Sequence, residues 1–571
     1  MAKQWLISPQ APQEFAPALH GLHEVARQLL FNRNILDQEA IESFLHPQSS
    51  IEHDPFLFLK MREAIDLTIS HIKERHKIVI CGDYDADGVS SSAIMTEILR
   101  ALSGDVEVWI PSRFGQGYGL NKDIINELKE KNVSLIITVD NGIRAKAEAE
   151  YAVSLGIDII ITDHHEGPSS REEEPQCIVI DPILEHEKYP FKYLCGAGVA
   201  YKFACALIAS SKLSEEDKEK LKNRIIDLAA IGTIADCVSL RGENRILAAK
   251  GIAAINRRPR LGLRELTSVS NITGDLDSWN ISWQITPRLN VAGRLDHANT
   301  AYQLLITKDP AEAQSIAKEL NEKNIERQGL TMQIVNEACI DIEKNQLTEK
   351  LLIAVSPNVM DETKTGWNEG VIGLSAGRLA EKYSRPCLVI TRSEGNVKGS
   401  GRSVEQFNLV SALEAGKEHL DRYGGHKMAC GFTLKTTEDL IGFMDKARQL
   451  ANADLAQVDL SPVLKIEAEL DIAQVNDQLI ETVEMFAPFG QDNTEPKFKS
   501  RVVISDIMVM GKEKTHIKFR VGGVWALAFR QAQALEHIKV GDTVDLVYTV
   551  CFNIFNGRRE AQLKIVDIKT E

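Results

Sequence analysis

The hydrophobic pattern changes character several times along the 571 residues. At the start, apolar residues recur at helical spacing: Leu19, Leu22, Val25, Leu29 and Leu30, then Ile41, Phe44 and Leu45. This predicts a small helical lead-in over 1–45. Met61–Lys73 reads as an amphipathic helix. From Lys77 short continuous apolar runs appear: Ile78–Cys81, Val106–Ile110, Leu135–Val139, Ile157–Thr162 and Cys177–Ile180. Their Val/Ile content suits parallel strands buried on both faces. Helical stretches at Ala93–Leu102, Lys122–Lys131 and Ala145–Leu155 supply right-handed crossovers between them. Helices follow at Val199–Ala209 and Leu221–Ile234.

Asp309 is a good cap and Pro310 a good first helical residue. The helix they open is expected to reach about Lys344, a spacer on the order of 50 Å long at 1.5 Å per residue. A second α/β lobe is predicted next, with strands Leu351–Val355 and Cys387–Ile390 and helices near Leu374–Lys382 and Leu409–His419. From Ser461 the pattern turns to short strands: Leu464–Leu470, Arg501–Met510, His516–Val521, Val524–Arg530, Thr543–Val550 and Glu560–Ile565. Gly522-Gly523, Gly541-Asp542 and Asn556-Gly557 mark the turns. Five or six strands in about 110 residues suit an OB-like β-barrel. The expected fold is a multidomain α/β chain divided at 1–45, 46–308, 309–349, 350–455 and 456–571.

Chemistry enters at the strand ends, where parallel sheets gather their ligands. After the first strand comes DYDADG, with Asp83, Asp85 and Asp87. The third leads into VDNG with Asp140, the fourth into ITDHH with Asp163, His164 and His165, and the fifth ends at Asp181. Asp236 sits in GTIADC, within an otherwise apolar segment. Helix capping accounts for one or two such aspartates, not for four strand ends and a histidine pair. Carboxylates this close raise one another's pKa unless a cation lies among them. Hard oxygen donors at this spacing suit Mg²⁺ or Mn²⁺. An EF-hand loop also opens D-x-D-x-D-G, but it follows a helix and needs Glu at its twelfth position, where this chain has Ile94. Gly88 is expected to break the acidic run.

Composition narrows the picture. The charged fraction is 26% and the hydrophobic fraction 44%, as in globular proteins. No run of eighteen apolar residues exists, and MAKQWLISPQAPQEF lacks a signal-peptide pattern. Nine scattered cysteines without a C-x-x-C pair point to a reduced cytoplasm and away from structural zinc. A net charge of −15 excludes a broadly basic nucleic-acid binder but not a local basic channel. No Walker A sequence is present, so ATP use is not expected. Arg113 lies in a glycine-rich loop (Gly115, Gly117, Gly119) that permits close backbone approach to a phosphate. Toward the C-terminus Lys512, Lys514, Lys518, Arg520 and Arg530 alternate with Phe519, Trp525, Phe529, Phe552 and Phe555. Basic groups beside aromatic platforms fit single-strand binding, although many of these rings also have to fill the barrel.

DYDADG, VDNG, ITDHH and GTIADC, in this order, resemble motifs I to IV of the DHH phosphoesterase superfamily. PSRFGQGYGL, ITPRLNVAGR, GWNEGVIGLSAGRL, GSGRS, YGGHKMACGF and PFGQDNTEPKF extend the resemblance, over most of the chain from about residue 45, to the RecJ family of single-strand-specific exonucleases. The resemblance implies a parallel-sheet DHH domain, a connecting helix, a DHHA1 domain and an OB domain. It implies 5′→3′ degradation of single-stranded DNA to 5′-mononucleotides by two-metal phosphodiester hydrolysis, in DNA repair and recombination. The two ions would be Mn²⁺ or Mg²⁺. Their ligands would be Asp83, Asp85, Asp140, His164 and Asp236, with Asp140 bridging. Asp163 would orient the imidazoles and His165 would contact the scissile phosphate. Asp87 is left as either a ligand or a residue that shapes the loop. Arg113, Ser400 and Arg402 would bind a terminal 5′-phosphate, with GSGRS offering open backbone donors as an anion nest does. Arg288, Asn290, Arg294 and His426 would be further substrate contacts. Cys81 stands where some relatives carry His and receives no metal role. Implied partners are single-stranded DNA, a single-strand-binding protein and a RecQ-type helicase. Two other readings stay open: a DHH phosphoesterase acting on oligoribonucleotides, cyclic dinucleotides or pyrophosphate, and a non-catalytic DNA-binding relative that has lost its metal ligands.

Overall fold

The computed structural model describes residues 3–19, 21–111, 119–257, 259–295, 298–555 and 558–570. Contacts divide the chain into two units. The smaller centres on Asn321–Leu464 and includes Arg294–Asp296; the larger holds Trp5–Gly293, His297–Leu320 and Lys465 onward.

The larger unit is built on five strands: β1 (Lys77–Cys81), β2 (Asp105–Trp109), β3 (Val133–Val139), β4 (Asp158–Thr162) and β5 (Ile178–Ile180). Their order is β2-β1-β3-β4-β5, and every pair is parallel. Ile78 to Cys81 are all fully buried, as the continuous apolar runs require. Cys81 lies opposite both Trp109 and Thr138, and Val139 opposite Thr162. The carboxyl ends therefore share one rim. The chain leaves β1 for β2 on one side and then crosses to β3 on the other, so the topological switch falls between β1 and β3. That is where ligands collect in such sheets.

Helices α1 (Ala86–Ala101), α2 (Lys122–Glu130) and α3 (Lys146–Ser154) alternate with the strands. The first begins seven residues before the expected Ala93, with Gly88 inside it. Asp85 makes this possible: its Oδ1 accepts the N–H groups of Asp87 (2.9 Å) and Gly88 (3.0 Å), a side-chain cap. Gly88 is required because a Cβ there would stand 2.6 Å from the Cβ of Asp83. Helices α4 (Gly196–Ser210) and α5 (Glu215–Ala235) pack against α1 and one another, and α6 (Gly242–Arg257) packs against α5.

The C-terminal β domain forms one seven-stranded sheet, two strands more than the lower expectation. The expected strand Arg501–Met510 is two, Phe498–Val503 and Asp506–Met510. The first pairs with Thr543–Phe555 and the second with His516–Val521, so the chain changes partner at Ile504-Ser505. The N-terminal lead-in is not a separate piece. Val25, Leu29, Leu30, Ile41 and Phe44 share one core with Leu479, Phe486, Phe498, Phe519, Tyr548 and Leu563 of the β domain.

The PFGQDNTEPKF segment is held by arginines. Buried Arg245 donates to the Phe44 carbonyl (2.8 Å), to those of Met485 (3.1 Å), Phe486 (2.9 Å) and Ala487 (2.8 Å) just ahead of the segment, and to that of Pro488 (3.4 Å) at its start, while Arg33 donates to Asn493 Oδ1 (2.8 Å) and the Thr494 carbonyl (2.9 Å) within it; the Arg245 guanidinium lies 3.8 Å from the Phe44 ring centroid. Arg241 donates to the Asp492 carbonyl at 2.8 Å. The signature thus fastens the β domain to α6 and the N-terminal helices.

In the smaller unit the sheet order is Leu420–His426, Ala429–Leu434, Asn396–Arg402, Cys387–Ser393, Leu352–Val355. Two of these strands were expected. Asn396–Arg402 was not, because its glycines mask strand propensity; the Phe432 ring fills the space that a side chain at Gly399 would need. This overturns the anion-nest reading of GSGRS. Ser400 and Gly401 are ladder partners of Val389 and Leu388 on one side and of Gly431 and Cys430 on the other, so the backbone there serves the sheet. Gly424-Gly425-His426 lies on a hairpin strand paired with Ala429–Gly431. The long helix is continuous over Pro310–Asp341 and ends in a π turn at Ile342–Gln346. No helix among the described residues is long and apolar enough to cross a membrane.

Candidate active site

The rim at the switch point carries the acids. Asp83 follows β1, is buried, and accepts the Tyr84 N–H at 2.7 Å. Asp87, in the first turn of α1, is 1% exposed. Its carboxylate receives the N–H groups of Gly196 (2.7 Å) and Ala197 (2.8 Å), the first donors of α4. Those donors have no partner within their own helix, and the helix terminus favours an anion. Asp140, after β3, is buried with φ at +64°, a conformation that aspartate tolerates and that marks strained functional positions. Its N–H is held by the Thr162 carbonyl at 3.0 Å. A side chain at Gly196 would meet the Asp140 carboxylate at 2.5 Å, so glycine there lets α4 approach the acid.

Asp163 is the hub of the fourth strand end. Oδ1 accepts the N–H of His164 (2.8 Å) and Nδ1 of His165 (2.7 Å), while Oδ2 accepts the Ile143 N–H (2.9 Å). Nε2 of His164 lies 3.1 Å from Oδ1 of Asp140, 3.7 Å from Oδ2 of Asp236 and 3.8 Å from Oδ2 of Asp87. Asp236 caps the C-terminal end of α5.

Three sets of side chains place ligand atoms within 4.8 Å of one another: Asp83, Asp85 and Asp140; Asp87, His164 and Asp236; Asp140, His164 and His165. The sequence-predicted acids and imidazoles of the larger unit do converge. Asp181, noted at the fifth strand end without a role, is also fully buried there, with Oδ1 on the Ile183 N–H (3.0 Å) and Oδ2 without a partner.

Burial and then Asp85 push Asp83 up to about 8. Burial and then Asp87 do the same for Asp236, also to about 8, and burial and Asp85 raise Asp87 to about 6. Asp140 is raised well above the carboxylate range by burial and by its four acidic neighbours. Burial lowers His164 to about 4, a neutral imidazole able to ligate. For His165 burial opposes the charge, but the Asp163 hydrogen bond prevails and holds it at about 9. Oδ1 of Asp140 and Nε2 of His164 are buried without a hydrogen-bond partner. Buried carboxylates and a neutral imidazole, with orphaned atoms facing one another, fit a divalent cation.

A stability test follows from the raised carboxylates. Their folded pKa exceeds the unfolded value, so the metal-free fold binds more protons than the unfolded chain. The contribution of these acids to its stability is then full below about pH 4 and falls as pH rises toward about 8. The thermal shift caused by Mn²⁺ is expected to be larger at about pH 8 than at about pH 6. Equal shifts at both would contradict this electrostatic account.

Of the other expected contacts, Asn290 Oδ1 accepts the Ala86 N–H at 2.6 Å and so steadies the DYDADG loop. Arg288 donates to the Gln284 carbonyl (2.6 Å), and Arg294 is half-buried near the end of the same helix. Arg113 lies outside the described residues. In the smaller unit Ser400 and Arg402 sit together beside Gly373 and donate to the carbonyls of Cys430 (3.1 Å) and Gly401 (2.8 Å), while His426 is exposed.

Comparison with known proteins places these features. Residues 77–233 match the DHH family N-terminal domain, 349–453 the DHHA1 domain, and 466–567 the RecJ OB domain. The single-stranded-DNA-specific exonuclease RecJ of Bacillus subtilis is 36% identical over 99% of this chain and 70% of its own length. The chain belongs to the RecJ family. RecJ of Haemophilus influenzae is 32% identical over 88% of this chain and 90% of its own. The crystal structure of Thermus thermophilus RecJ in complex with Mn²⁺ superposes with a TM-score of 0.82 at 27% identity, covering all of this chain and 80% of that one. A Mg²⁺ complex of the same protein matches with a TM-score of 0.77.

Proposed function

We propose that the chain is a metal-dependent exonuclease specific for single-stranded DNA, degrading it 5′→3′ and releasing 5′-mononucleotides. Asp83, Asp85, Asp140, His164 and Asp236 would hold its two ions, Mn²⁺ or Mg²⁺. The observation that carries this reading is the orphaned pair Asp140 and His164, buried among carboxylates at the switch point of a RecJ-family sheet.

When bound, two such ions neutralise the phosphate and lower the pKa of an attacking water. The chain's own groups prepare that step. Neutral His164 keeps the net charge of the site low enough to admit a phosphodiester. Asp87, fixed by the first donors of α4, holds α1 and α4 together beneath the site. Asp163 fixes the His165 ring, so the imidazolium presents its free N–H to a phosphate oxygen. By resemblance Ser400 and Arg402 would take a terminal 5′-phosphate, and Arg288 and Arg294 would touch the strand. Asn290 acts on the strand indirectly, through the loop that it holds. Resemblance supports work in the cytoplasm with a single-strand-binding protein and a RecQ-type helicase, in repair and recombination.

The test is digestion of a strand labelled at either end, beside the same strand in blunt duplex. Labelled mononucleotide should appear first from the 5′ label, in single strand only. Release from the 3′ end, or equal rates on blunt duplex, would defeat the proposal.

A further inference from the structure

Residues 278–295 form one helix with a π turn at Ile281–Ile285, opened by an Asp277–Asn280 capping box. Such turns recur at functional sites. Ile281, Ile285, Leu289 and Ala292 make its buried stripe. The two largest apolar side chains are elsewhere: Trp279 is 58% and Trp283 67% exposed. They stand four residues apart, on successive turns. Among the described residues neither indole N–H is hydrogen-bonded and neither ring lies against a cation or another aromatic ring. The chain has six tryptophans. Of the other four, Trp5 and Trp367 donate to carboxylates, and Trp525 lies under Lys518 and Arg520. Two unpartnered indoles side by side on one helix are unusual in a folded chain.

The same helix is tied to the site. Asn290 holds the Ala86 N–H, and a Cβ at Gly293 would stand 2.6 Å from the Tyr84 carbonyl oxygen, so the helix lies directly on the DYDADG loop. Trp283 precedes Asn290 by seven residues, about 10 Å along the axis. The helix carries Arg288 and Arg294 and no acidic residue, in a chain whose net charge is −15. We propose that Trp279 and Trp283 form a base-stacking platform for the single strand, next to the acidic site. The inference rests on the exonuclease reading. It adds that part of the affinity comes from faces that every base presents, without sequence preference and without counterion release. An acidic protein gains most from a contact of this kind, because stacking does not depend on the sign of the local charge.

The test uses the intact metal-loaded enzyme on strands of about 20 nucleotides in which abasic sites are scanned through the first few positions; stacking is lost while every phosphate is kept. For the unmodified chain, kcat/KM is expected to fall about tenfold at the stacked positions. Trp279→Ala with Trp283→Ala should lose about a hundredfold on the intact strand and become insensitive to those abasic sites. Trp→Phe at both positions should restore most of the loss, whereas Trp→Leu should not. The loss should be the same at low and high salt. The exposed Ile340→Ala serves as a control. If the unmodified chain does not cleave single strands at all, the exonuclease reading fails. If it does, but the double variant feels the abasic sites as the parent does, or Trp→Leu rescues as well as Trp→Phe, the platform is wrong and the indoles face something other than bases.

Discussion

Asp140→Asn is expected to reduce metal-dependent cleavage of single-stranded DNA by about a thousandfold or more, since the site loses the acid that belongs to two of its three donor sets. Asparagine keeps the size of the side chain and accepts the positive φ, so the backbone has no reason to move. A second readout separates chemistry from damage. In the wild type without metal, Asp140 is crowded by Asp87, Asp85, Asp83 and Asp236. Removing its charge should raise the thermal transition of the metal-free protein at about pH 8 and reduce the shift caused by Mn²⁺. Activity within tenfold of the parent would remove Asp140 from the centre.

Arg245→Met is expected to cost the larger unit about 4 kcal/mol in urea unfolding, because the carbonyls of Phe44, Met485 and Ala487 lose their side-chain donor at about 1–3 kcal/mol for each left dry, while Phe486 and Pro488 keep Nδ2 of Asn493. The N-terminal helices, α6 and the β domain thereby lose one shared fastening. Arg245→Lys should rescue little, since a single ammonium cannot span acceptors that the planar fork reaches together. A loss of under about 1 kcal/mol for the Met variant would show that these groups are satisfied another way.

The sequence exposed the parallel sheet well, because strands buried on both faces read as unbroken apolar runs, and Ile78–Cys81 is such a run. It exposed the acids and imidazoles for the same reason: each stands immediately after a run, where polarity changes abruptly. The start of α1 was hidden because Asp85 both caps the helix and belongs to the acidic run. Asn396–Arg402 was hidden because its glycines make room for Phe432, a contact between residues more than thirty positions apart. PFGQDNTEPKF was legible as a family signature but not as a structural clamp, since Arg245, which reaches the Pro488 carbonyl, lies 243 positions away. Trp279 and Trp283 left no trace at all in the pattern, because amphipathic spacing does not reveal which apolar residue remains outside.

The central claim is that four strand-end and helix-end segments jointly hold a pair of divalent ions. Electron paramagnetic resonance of the Mn²⁺-loaded protein tests it most directly. Two bound Mn²⁺ per chain with an exchange-coupled spectrum, reverting to an isolated-ion spectrum in Asp140→Asn, is the expected result. A single uncoupled Mn²⁺ in the unmodified chain, unchanged by that substitution, would contradict it.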